Sequence, residues 1–113
     1  MVKLDGHWPF LGRVVWLTPE QGGRASGAPQ PSTEWDYAHT AFVPPHTVDS
    51  GLASFALRGF EPGTWTSAAE GRWLIVENDG EQSVEPGTVV VCTEGPRVVA
   101  YFHVERIIEE PPT

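Results

Sequence analysis

Lysine, cysteine and long apolar runs are nearly missing from this chain, and each shortage excludes something. Among 113 residues Lys3 is the only lysine and arginine supplies the six other cations, against fifteen acids, for a formal charge of -8. That field repels nucleic acid unless the few cations cluster, and it favours a basic partner. Cys92 is the only cysteine. No intramolecular disulfide and no cysteine-rich metal site can form, and its apolar neighbours Val89, Val90 and Val91 mark it as a core thiol. No stretch approaches 18 consecutive apolar residues, and the N-terminus lacks an apolar signal segment. The expectation is a cytoplasmic chain with no membrane span. Amphipathic helical periodicity is absent as well.

What is present is apolar residue at 40%, with five Trp and five Phe, punctuated by eleven Pro and twelve Gly. Many short elements between turns predict an all-β domain with a packed core. One domain over residues 1–113 is expected, with 1–11 as a lead-in and 109–113 as a frayed tail. Arg13–Thr18 reads as a strand that is apolar on both faces and so covered on both sides. Glu20–Thr33 is a polar loop. Between Trp35 and Val43 the residues Trp35, Tyr37, His39, Ala41 and Val43 share one face. Leu52–Leu57 and Arg72–Glu77 are further strands, the second turned by Asn78-Asp79-Gly80. Thr88–Thr93 and Arg97–Ile108 form a hairpin across Gly95-Pro96. In the last strand Val98, Ala100, Phe102 and Val104 alternate with Val99, Tyr101, His103 and Glu105.

Two separated phrases carry more information than the rest. Leu17-Thr18-Pro19-Glu20-Gln21-Gly22-Gly23-Arg24 follows the first strand. Glu85-Pro86-Gly87-Thr88, Thr93-Glu94-Gly95-Pro96-Arg97 and the run Val98–Val104 close the chain. In this order and spacing they resemble the C-terminal β-barrel domain of the elongation factor Tu family, over roughly residues 10–109. The resemblance implies a small closed antiparallel barrel of about six strands. It also implies no nucleotide chemistry, because that family's GTP site lies in a separate P-loop domain and no such loop occurs here. Several positions depart from the family. Val89 and Thr93 stand where it has arginines, and Ala100 and Phe102 where it has glycines. Loss of those cations weakens any inherited tRNA contact.

The candidate sites are few. Gly22, Gly23, Arg24 and Arg97 can form an anion or RNA nest; alternatively the glycines allow a positive-φ turn, Arg24 pairs with Glu20 or Glu94, and Arg97 works structurally across the barrel. Trp35, Tyr37, Phe60 and Trp65 can anchor a protein partner or plug the barrel ends. His7, His39, His46 and His103 lack metal-ligand spacing, and Asp36, Asp49, Glu61, Glu77 and Asp79 fall on turns or strand ends. No catalytic residue, metal or cofactor is expected. The expected function is a non-catalytic module that binds a protein, immunity- or antitoxin-like or associated with translation. An RNA-binding domain and a small enzyme are the alternatives.

Overall fold

A computed structural model describes residues 6–25, 27, 29, 36–45, 47–48, 52–61, 64–74 and 84–108. Six strands close into an antiparallel barrel: β1 (Phe10–Trp16), β2 (Tyr37–Phe42), β3 (Ala53–Arg58), β4 (Thr66–Trp73), β5 (Val89–Glu94) and β6 (Arg97–Ile107). Their order around the wall is β1-β4-β3-β2-β5-β6. Closure by β1 against β6 leaves the sheet without a free edge strand.

Side chains fill the barrel by alternation. β1 sends Phe10, Val14 and Trp16 inward, β2 sends Tyr37, His39 and Ala41, and β6 sends Ala100, Phe102 and Val104. β4 opposes them with small residues: Ser67, Ala69 and Gly71 are its inward positions before Trp73. The pairing is physical. A Cβ on Gly71 would stand 2.7 Å from the Phe55 ring and 2.8 Å from the Phe102 ring. One end of the interior is an aromatic stack, with Phe10 parallel to Phe55 and Trp73 edge-on to it. The other end is closed by Trp16, Tyr37 and Phe60 in mutual edge-to-face contact. Each fully buried ring contributes about 2–3 kcal/mol of transfer free energy, with the edge geometry adding to it.

Several sequence expectations shift. The first strand starts at Phe10, so Phe10 and Leu11 belong to the wall rather than to a lead-in. Its outer face is not covered: Arg13 is exposed, and Leu11, Val15 and Leu17 are half-buried. The fourth strand begins at Thr66, well before Arg72, and Ile75, Val76, Glu77 and the turn after them lie outside the described residues. In β6 the alternation breaks at a bulge. Cys92 opposes Ala100 while Thr93 opposes Val98, so Val99 is an extra residue and is buried beside Ala100. The tight link itself is as expected, with Glu94 opposite Arg97 and Gly95 at φ 61°.

The segment before β1 packs on the outside of the wall. Trp8 is buried beneath the Arg58 guanidinium, 4.3 Å above its ring, and Arg58 also bonds Glu70 at 3.0 Å. Ile108 N–H donates to the Pro9 carbonyl at 2.8 Å, and the His7 ring bonds the Ile108 carbonyl. The segment before β1 and the end of β6 are thereby tied together. No helix among the described residues is long and apolar enough to cross a membrane.

Candidate functional site: the corner joining residues 17–24 to 94–97

Residues 17–24 of the first phrase and 93–97 of the second meet at one end of the barrel, where β1, β3 and β5 finish and β2, β4 and β6 begin, whereas Glu85–Thr88 lies at the opposite end, with Gly87 N–H on the Val104 carbonyl at 2.8 Å. Pro19–Gln21 is a single 3-10 turn whose Thr18 side chain accepts from Gln21 N–H at 3.2 Å, while Gln21 Oε1 accepts from Thr18 N–H at 2.9 Å. This is a capping box compressed into one turn. Gly22, at φ 89°, reverses the chain. Gly23 then runs against Leu17 so closely that a Cβ would meet the Leu17 carbonyl oxygen at 2.3 Å. That turn aims Arg24 at the β5–β6 hairpin.

Glu94 is the hub of the corner. Its Oε2 accepts from Arg24 Nε at 2.9 Å and from the Tyr37 hydroxyl. Arg24 also donates to the Gly27 carbonyl at 2.9 Å, and its guanidinium lies 5.8 Å from the centre of the Tyr37 ring. Arg97 donates to the Gly23 carbonyl at 3.3 Å. Burial, and next the bond to Glu94, push the Tyr37 hydroxyl well above its ordinary pKa, so it stays a donor. The Arg24–Glu94 pair is partly exposed and by itself contributes little. Its role is geometric, fixing the long loop after β1 to the last hairpin.

The anion-nest candidates therefore have structural partners. The Gly22 and Gly23 N–H groups donate to the Pro19 and Thr18 carbonyls, and Arg24 and Arg97 are engaged as described. Arg72 does not join them; it lies against Trp8 on the outer wall and donates to the Trp73 carbonyl. Of the four aromatic candidates, Tyr37 and Phe60 are end plugs at 8% and 4% exposure, Trp65 is 46% exposed, and Trp35 lies outside the described residues.

The histidines are scattered. His39 points into the core, His103 is exposed on β6, His7 holds the Ile108 carbonyl, and His46 lies outside the described residues. His39 Nδ1–H donates to the Thr40 carbonyl at 2.8 Å, which leaves its buried Nε2 as an acceptor without a partner. Burial lowers its pKa to about 4, outweighing the opposing influence of the Thr40 carbonyl and Glu94. Burial likewise pushes the Cys92 thiol up, in keeping with a core thiol.

A broad groove of about 380 Å³ runs beside the corner, lined by Ala38, Thr40, Ser54, Thr93, Glu94 and Gly95 among others. Glu94 is the one carboxylate in that lining, and it is already bonded. Among the described residues no group of three His, Cys, Asp or Glu side chains is placed to hold a metal ion. The sequence offered Glu20 or Glu94 as the partner of Arg24; the structure selects Glu94 and adds Tyr37 as a third member, which sequence reasoning missed. Its position as the first inward residue of β2 was the available signal. No protein-family model matches the chain, and no curated protein or solved structure matches it.

Proposed function

We propose that this chain is a non-catalytic protein-binding module on a barrel of the elongation factor Tu C-terminal type. It engages a basic protein partner through the end of the barrel that carries the corner. The observation that carries this reading is Trp65. Its indole is 46% exposed, although its carbonyl is held by Trp16 N–H at 2.8 Å. A large aromatic presented from a pinned backbone loses little entropy on binding, the property of an interface anchor. The loops of the same end expose Glu20 and Glu61, which suits steering of a cationic surface. An immunity- or antitoxin-like role against a basic toxin is the most specific form of this proposal. RNA binding is disfavoured because Arg24 and Arg97 are already committed within the corner.

The test is affinity capture from native lysate with the wild-type protein and with Trp65→Ala. Wild type is expected to retain a basic protein that elutes as salt is raised. Trp65→Ala is expected to lose it at unchanged melting temperature. Equal retention by the variant, or salt-sensitive retention of tRNA in its place, contradicts the proposal.

A further inference from the structure

The outer face of β1 and β6 differs in character from the acidic end of the barrel. Direct cross-strand pairing sets its side chains in two rows. One row runs Thr66, Val15, Tyr101, Val91; the other runs Ala68, Arg13, His103, Val89. No acid occupies either row, on a chain whose formal charge is -8. Tyr101 is 37% exposed, and Arg13 and His103 stand exposed directly opposite one another. No acid faces Arg13 across this strand pair to offset its charge. Arg13 reaches only the Thr66 hydroxyl, at 3.5 Å, and Arg106 continues the basic character one position beyond, opposite Leu11. Neither arginine has an acidic partner among the described residues. The nearest acids are Glu85, which shares a groove with Val89, Glu70, held by Arg58, and Glu105, left without a β1 partner where the register shifts between Leu11 and Gly12.

We propose that this face is a second docking surface, for a protein segment that carries carboxylates spaced between apolar side chains. Charge complementarity selects the occupant. Arg13 and Arg106 call for acid and the exposed His103 ring offers a further hydrogen-bonding group beside them, while Val15, Val89 and Tyr101 between them call for apolar contact. A polyanion such as RNA fits less well, because the net charge of the whole chain repels it and the basic window is only a few side chains wide. A second copy of this acidic chain meets the same repulsion. Both strands are already paired on each side, so recognition runs through side chains rather than by addition of a strand. The face is independent of Trp65 and of the function proposed above.

The experiment is an NMR titration of isotope-labelled full chain with a short synthetic peptide alternating Glu with Leu. The same peptide with Lys for Glu, and tRNA, serve as comparisons. The Glu peptide is expected to shift the amides of Arg13, Val15, Tyr101 and His103. Arg13→Glu is expected to weaken binding about tenfold, and Trp65→Ala to leave it unchanged. Folding of the Arg13→Glu chain is verified by its own amide spectrum, and Tyr101→Ala, which removes an exposed side chain, provides a second variant with the same expected loss. The proposal is overturned by any of four results: no shifts or shifts elsewhere, equal response to the Lys peptide, stronger response of these residues to tRNA, or concentration-dependent self-association through them.

Discussion

Replacement of Gly12 by alanine is expected to destabilise the protein by at least about 3 kcal/mol, the upper range for forced overpacking. Gly12 is an inward position of β1, beside the bulge where the β1–β6 register shifts. A Cβ there would sit 1.9 Å from the His103 carbonyl oxygen and 3.1 Å from the Val104 Cα. Both obstacles are backbone, so no rotamer change relieves them, and the strands that close the barrel must part. Gly87→Ala provides the contrast. Its Cβ would meet nothing within 4 Å, and only its φ of 94° opposes a side chain. That variant is expected to lose about 1–2 kcal/mol. Urea unfolding of the two variants beside wild type decides the matter; equal losses would mean that the close approach of β1 and β6 is not what Gly12 serves.

Acid is expected to weaken the fold through His39. The folded-state pKa of about 4 lies below the ordinary 6.5 because burial disfavours the cation. The unfolded chain therefore binds a proton at a pH where the folded chain does not. The neutral ring's contribution is complete above pH 6.5 and is lost as pH falls from there to about 4. The difference corresponds to about 3 kcal/mol in total, of which about 2 kcal/mol falls between pH 6.5 and 5. His39→Phe removes the titrating group together with its unpartnered Nε2. Unfolding free energies measured at pH 7, 6 and 5 are expected to fall in wild type and to change much less in the variant. Parallel slopes would show that His39 is not the group responsible.

Much of the barrel was legible because its strongest signals are local. The hairpin across Gly95-Pro96 and the inward set Tyr37, His39, Ala41 and Val43 follow from turn chemistry and from a period of two. For Arg24 the sequence narrowed the partner to Glu20 or Glu94, and for Arg97 it gave a structural role across the barrel; the choice of Glu94 and of the Gly23 carbonyl comes from the fold. β4 was not legible before Arg72, because Ser67, Ala69 and Gly71 have poor strand propensity. Gly71 lacks a side chain because the Phe55 and Phe102 rings fill that space, a demand that comes from across the barrel rather than from its neighbours in sequence. Val99 escaped for a similar reason, since a bulge shifts the alternation without any local mark. Trp8 beneath Arg58 is likewise a contact that no spacing announces.

The same distinction governs the candidate site. Tyr37, Phe60 and Trp65 look alike as loop-flanking aromatics. Only packing separates the two that plug the barrel beside Trp16 from the one that remains exposed.

The corner and the outer β1–β6 face both depend on β6 lying between β1 and β5, with Arg24 folded back onto Glu94. Nuclear Overhauser contacts on labelled protein test this most directly. Val14 to Phe102, Cys92 to Ala100, and the Arg24 side chain to Glu94 and Tyr37 are the expected cross-peaks. A β6 that contacts β5 alone, with β1 paired elsewhere and Arg24 in solvent, would contradict the account.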